Sequence, residues 1–257
     1  MISVIIPTMW KPVHIMHMLP ILESHELIGE ILIIDNDTSK TNPDIHKYSK
    51  VRHLPQQENI YVNPAWNLGV KLSKYDKLCF LNDDVIFNTN CLEYLYDKIN
   101  PDNGLLGFSE MSYCGFSPEV FDTVQSTGLG NKVFLEKCNI YANSEMSGMP
   151  HTYYGCCMFL HKSRFFPIPS EFKIYYGDLF VYLLNSFTVN HGEDIAPGVK
   201  LITHSYKAVD NYTIEDGLVL TKMSSTVKSF GEQIDKEKQI FYEVFKRYGI
   251  NKANKAN

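Results

Sequence analysis

Asp83 and Asp84 stand side by side in the stretch FLNDDV, with apolar residues before and after them. Adjacent carboxylates repel each other and resist removal from water, so their placement between greasy flanks needs a compensating charge. A hard divalent cation, Mn²⁺ or Mg²⁺, supplies it: such ions take oxygen ligands, keep several waters and share substrate phosphates. Asn82 and Asp84 are two residues apart, so an extended backbone points them the same way, with Asp83 turned elsewhere. That assigns Asp84 as the direct ligand and Asp83 as a supporting or ribose contact. The plainer alternative is that both acids cap a turn. A second acidic cluster, Asp35 and Asp37 in EILIIDND, follows an apolar run and suits hydrogen bonds to ribose hydroxyls or a base N–H, or else an Asx turn. No GxGxxG follows Ile6 and no GxxxxGK[ST] occurs, so phosphate would be held by metal and not by a glycine cradle.

The elements that must position these acids alternate. Ile2 to Ile6, residues 30–35, 77–82 and 105–111 read as buried strands. Between them, residues 13–28 carry helical spacing broken by Pro20, predicting a kinked or late-starting helix. Pro64 opens a second helix and NCLEYLYDKI forms a third. Continuous apolar strands alternating with helices predict an α/β fold with a mostly parallel, doubly covered sheet. Ligands of such sheets bind beyond the strands' carboxyl ends. Pro7-Thr8, Asp35 to Asp37 and Asp83-Asp84 all fall there, as one polar rim.

The second half is less regular. Residues 112–150 predict loops, YYGCCMFLHKSRF a strand running into a turn, and YYGDLFVYLLNSF a helix with Asp178 at its start. KLITHSY predicts a strand carrying His204, and the tail from Glu232 an amphipathic helix with Phe241, Val244, Phe245 and Tyr248 on one side. The pairs Tyr153-Tyr154 and Tyr175-Tyr176 suit either sugar stacking or core cover. Lys162 and Arg164 are expected in solvent. The predicted division is residues 1–215 as one unit, with halves 1–110 and 111–215, and 216–257 as a helical appendage.

Bulk properties narrow the classes. The 257 residues carry a formal net charge of −5, which gives no global pull toward nucleic acid or anionic membrane. Apolar runs are far shorter than a membrane span, and the opening lacks the pattern of a signal peptide. Six cysteines without a CxxC predict reduced thiols and a cytoplasmic setting.

SVIIPT, EILIIDND, NPAWNLGV and FLNDDV, in this order, resemble the nucleotide-sugar half of GT-A fold glycosyltransferases, especially the inverting family 2. The resemblance is good over roughly residues 1–90 and loose beyond. It implies a GT-A domain, Rossmann-like with a mostly parallel central sheet flanked by helices, and here a C-terminal helical extension. It implies a nucleotide diphosphate sugar donor held by Pro7, Thr8, Asp35, Asp37, Asn67 and Asp83, with Asn67 and Gly69 matching the family's Asn-x-Gly segment. Asp84 matches the last acid of the DxD-type metal motif, and His204 a late-strand histidine that serves as a further ligand in some members. Asp178 matches the general base, an acid stabilised as the anion at a helix start and able to take a proton from a sugar hydroxyl. The acceptor is then a glycan or another hydroxyl compound. One departure matters: the first motif position is Asn82, whose neutral amide weakens the field on a metal. Three rivals are a sugar nucleotidyltransferase, whose Gly-rich basic loop is missing after Ile6, a non-catalytic nucleotide-sugar-binding module, and a viral enzyme that glycosylates hydroxymethylated phage DNA. Acidic net charge disfavours the nucleic acid acceptor.

Overall fold

The computed structural model describes residues 1–11, 14–87, 89, 91–102, 105–107, 113–115, 157–181, 184–185, 219–221 and 225–249. The chain alternates β1 (Ile2–Thr8), α1 (His14–Ser24), β2 (Ile28–Asp35), β3 (Val51–Pro55), α2 (Val62–Leu72), β4 (Lys77–Leu81), β5 (Val85–Phe87) and α3 (Cys91–Tyr96). Then come β6 (Leu106–Gly107), β7 (Tyr113–Gly115), β8 (Cys157–His161), β9 (Val219–Thr221) and a C-terminal helix, Ser225–Arg247. The main sheet has the order β3-β2-β1-β4-β8-β6. β3, β2, β1 and β4 run parallel, and β8 is antiparallel to both of its neighbours. A small second sheet, β5-β9-β7, lies beyond the end of β4.

Alternate residues of each strand supply opposite faces, because the side-chain period of a strand is two. Val4, Ile6, Ile31, Ile33, Cys79 and Leu81 pack with Ile15, Met18 and Leu22 of α1 and Leu92 and Leu95 of α3. Ile5, Leu32, Ile34, Leu78 and Phe80 pack on the other face with Ala65, Trp66 and Val70 of α2. Both faces are covered, which is why the strands read as unbroken apolar runs. The C-terminal helix, expected as an appendage, adds Val244 and Phe245 to the α2-side core.

Several expectations are corrected here. Of the two expectations for Pro20, the late start is overturned: α1 already runs from His14 and carries the exposed Pro20 inside it. Residues 113–115, expected in loop, form β7. Arg164, expected in solvent, is only 4% exposed. It closes the 3₁₀ turn after β8, which folds the chain back over the α2 face, and Asn185 Nδ2 donates to its carbonyl at 3.1 Å. Cys79 and Cys157 are buried free thiols. Among the described residues, no helix is long and apolar enough to cross a membrane.

Gly69 sets the spacing between α2 and the sheet. A Cβ there would lie 2.3 Å from Ile5 Cγ2, so only glycine lets the helix approach β1 this closely.

At the amino end of the sheet, Glu30 is buried and accepts from Ser3 Oγ at 2.7 Å and Arg52 Nη1 at 2.6 Å, with the Lys74 N–H as a third donor. Burial raises its pKa, but these hydrogen bonds outweigh burial and hold it below the ordinary glutamate value. Removing the carboxylate strands a guanidinium that is one-third exposed, so Glu30→Ala is expected to cost roughly 2–3 kcal/mol, somewhat less than breaking a fully buried pair. A folded-state pKa below the unfolded one gives stability that is present above the unfolded value and lost as pH falls through the folded one. Urea titrations at pH 7 and below pH 4 check both statements: the difference between wild type and variant should shrink in acid.

Candidate active site

The rim predicted at the carboxyl ends of the strands exists, and hydrogen bonds knit it together. In the β1–β2 register Thr8 lies opposite Asp35, and the Asn36 N–H donates to the Thr8 carbonyl at 2.8 Å. Pro7 is buried within β1. Thr8 Oγ1 donates to Asp83 Oδ2 at 2.7 Å and accepts the Trp10 N–H at 2.8 Å. The Met9 N–H also points to Asp83 Oδ2, at 3.4 Å. Asp83 therefore ties the end of β4 to the end of β1. The residue as a whole is half-buried, but its carboxyl group lies well inside, and loss of solvation pushes its pKa up to about 6. Its contribution to stability therefore runs opposite to that of Glu30, being lost as pH rises through about 6.

Asn82 to Val85 forms a turn, closed by the Val85 N–H on the Asn82 carbonyl at 3.3 Å. The turn answers the puzzle of paired acids in part: Asp83 turns inward to Thr8, and half-buried Asp84 is the next residue along. Asn82 Oδ1 is buried without a hydrogen-bond partner. A buried amide oxygen without a donor calls for water or a cation. Among the described residues there is no group of three or more His, Cys, Asp or Glu that could by itself hold a metal. The donor set at this turn is one amide oxygen and one carboxylate, which fits a hard cation completing its shell with water and phosphate oxygens. His204 lies outside the described residues.

Asp35 is fully buried. Its Oδ2 accepts from the Thr41 hydroxyl and lies 2.8 Å from His53 Nε2, and its Oδ1 accepts the Asp37 N–H at 3.0 Å. Burial raises its pKa, but the bonds from Thr41, His53 and Asp37 leave it below the ordinary value. Asp37 is more open, paired with Lys40 and accepting from Ser39 Oγ at 2.6 Å. Asn67 engages both ends of its amide with one residue of the facing loop: Nδ2 donates to the Ile168 carbonyl at 2.8 Å and Oδ1 accepts the Ile168 N–H at 2.9 Å.

The helix bearing Asp178 opens at residue 177, and two contacts fix its location. Asn63, in the first turn of α2, donates Nδ2 to the Tyr175 carbonyl at 2.8 Å. Its N–H donates to the Lys173 carbonyl at 2.9 Å. A Cβ on Gly177 would lie 2.1 Å from Asn63 Oδ1, so glycine is what allows this helix start to touch α2. The first turn of α2 belongs to the carboxyl end of the sheet, because the preceding Ile60 N–H donates to Asn36 Oδ1 just past β2, at 3.0 Å. Asp178 thus starts its helix at the end of the sheet from which Asp83 and Asp84 leave β4.

Trp10, Tyr61 and Tyr176 have φ of 58°, 68° and 63°, the left-handed region that disfavours side chains. Each costs on the order of 1–3 kcal/mol, and such residues cluster where backbone placement serves a site. Here they flank the β1 rim, the start of α2 and the Asp178 helix. Tyr176 packs its ring on Phe241 at 4.4 Å and Phe172 at 5.6 Å, which makes it core cover; Tyr153 and Tyr154 lie outside the described residues. A kink at Phe230 in the C-terminal helix brings that ring to 5.6 Å from Tyr61, with Lys11 Nζ 5.3 Å from the Phe230 centroid.

Comparison with known proteins bears on the family and the fold. The model of a family described as glycosyl transferase family 2 matches residues 3–163. No curated protein matches the sequence. Among solved structures, TarS 1–349 of S. aureus in complex with UDP-GlcNAc superposes with a TM-score of 0.60 at 12% identity, covering 99% of this chain and 68% of that one. The mannosyltransferase PcManGT from Pyrobaculum calidifontis, in complex with GDP-Man and Mn2+, gives 0.55 at 12% identity over 96% and 63%. Glucosyl-3-phosphoglycerate synthase from Mycobacterium tuberculosis, with Mn2+, UDP and glucosyl-3-phosphoglycerate, gives 0.51 at 13% over 98% and 81%. The chain spans about two thirds of the length of the first two. At these identities the likeness shows the fold, which is GT-A.

Proposed function

Because this chain belongs to glycosyl transferase family 2, we propose that it moves a sugar, with inversion, from a nucleotide diphosphate sugar to the hydroxyl of a glycan or glycoconjugate acceptor. The observation that carries this reading is the gathering of Thr8, Asp35, Asp83 and Asp84 at the carboxyl ends of β1, β2 and β4, with the Asp178 helix opening at the same end. The rim holds the nucleoside: the buried Asp35 network shapes the base and ribose pocket, and the Asp37 loop closes its edge. Asp83, locked to Thr8, fixes the turn that presents Asn82 and Asp84. Those two would hold Mn²⁺ or Mg²⁺ together with the donor's phosphates, and the ion when bound offsets the charge of the departing diphosphate.

Asp178 works on the acceptor side. Its place at a helix start favours the carboxylate form. There it takes the proton of the acceptor hydroxyl as that oxygen attacks the anomeric carbon, while the bond to the diphosphate breaks on the opposite face. Two carboxylate regions on either side of the reacting carbon are also the arrangement used in glycoside hydrolysis.

A thermal-shift screen of nucleotide sugars, each with and without Mn²⁺, tests the reading. A ligand that binds only the folded chain raises its melting temperature. One nucleotide diphosphate sugar should do so, and more strongly with Mn²⁺. A flat response to every donor under both conditions would sink the proposal.

A further inference from the structure

The C-terminal helix carries a carboxylate fully shielded from solvent, Glu237. Four donors converge on it. Oε1 accepts the Lys173 N–H at 3.0 Å and the Ile174 N–H at 3.1 Å; Oε2 accepts the Tyr175 N–H at 2.7 Å. Gln233 Nε2, one turn earlier in the helix, donates to Oε1 at 2.9 Å. A carboxylate removed from water is tolerated only when donors replace its hydration, and three successive peptide N–H groups do that here.

What those peptides precede gives the arrangement its meaning. Residues 173–175 run directly into left-handed Tyr176, then Gly177 and Asp178. Their carbonyls are held from the other side, with Lys173 O accepting the Asn63 N–H and Tyr175 O accepting Asn63 Nδ2. The segment is clamped between α2 and the C-terminal helix, with the Tyr176 ring seated on Phe241 one helical turn beyond Glu237. Plain packing would be served by an apolar residue at 237. A charged one that gathers three consecutive N–H groups instead dictates the backbone path, and with it the direction in which the next helix starts.

We propose that Glu237 is a positioning residue for sugar transfer: by clamping the N–H groups of residues 173–175 it aims the Asp178 carboxylate at the acceptor hydroxyl. This rests on the reading of Asp178 as the base.

Glu237→Gln keeps the size and replaces one acceptor oxygen with an amide NH2 group, itself a donor, that faces donors. Its turnover in transfer should fall on the order of 10- to 100-fold, since small displacements of a reacting group cost rates of this size. The Kd for the donor should stay at the wild-type value, and hydrogen exchange of the amides of 173–175 should accelerate. Should that variant not fold, Glu237→Asp, which retains the charge on a shorter stem, carries the same three readouts. Turnover at the wild-type level despite faster exchange at 173–175 overturns the proposal. A donor Kd weakened in step with turnover does so as well, because that marks general loosening. The base reading fails separately, if Asp178→Asn turns over like wild type, and amide exchange in the Glu237 variant is indifferent to that result.

Discussion

Asp178→Asn should abolish transfer while donor affinity remains at the wild-type level. A positioned general base contributes about 10²–10⁴ in rate, or roughly 3–5 kcal/mol of the barrier. The amide is isosteric with the carboxylate, so the helix start at Gly177 and its contact with Asn63 are undisturbed. What changes is the ability to receive a proton. Pre-steady-state measurement of transfer, beside titration of the donor nucleotide, separates the two quantities. A loss confined to the rate removes an interaction made only in the transition state. An equal loss in donor affinity would place Asp178 in the donor pocket and remove it from the acceptor side.

Much of the scaffold behind this expectation was legible in the chain. β1, β2 and β4 are buried on both faces, so their sequences are largely apolar runs, β1 ending at Pro7-Thr8 and β2 and β4 leading to the rim acids. The Asp178 helix was legible because an acid precedes an apolar stretch after glycine. β3 was missed: it is an edge strand of five residues, none fully buried, in which the adjacent polar Arg52 and His53 break any apolar run or alternation. β5, β7 and β9 were missed because three-residue strands owe their existence to pairing across long separations, which no local pattern encodes. Burial of Arg164 was equally hidden, since nothing in HKSRF says which helix will lie over it.

The site shows the same division. Acids at strand ends were visible as residue types in the right order. Their partners were not, because Thr41 and His53 reach Asp35, and Thr8 reaches Asp83, only through the fold. Asn63 and Glu237 went unnoticed, although Glu237 had a signal. It falls on the same helical stripe as Ile234, Phe241 and Val244, and a charged residue on an apolar stripe is the exception that calls for a partner.

Asp84→Ala should remove the Mn²⁺-dependent part of donor binding and lower transfer by 100-fold or more, about 3 kcal/mol or above. The size follows from charge: on this reading Asp84 is the anionic ligand at the turn, beside the neutral Asn82 amide oxygen that is buried without a hydrogen-bond partner, and its removal takes away the charge that attracts the cation. Asn82→Asp should act in the opposite direction. It places a carboxylate where a buried amide oxygen has no partner, beside Asp83 and Asp84. Without metal, the added like charge and its desolvation should destabilise the fold. With Mn²⁺ the stability should return, and Mn²⁺ should bind on the order of tenfold more tightly, about 1.4 kcal/mol. Thermal shift across a Mn²⁺ titration reads both variants in one experiment. If Asp84→Ala kept the wild-type response to Mn²⁺ and donor, the turn after β4 would not be the metal site. A melting temperature of Asn82→Asp that ignored Mn²⁺ would say the same from the other side.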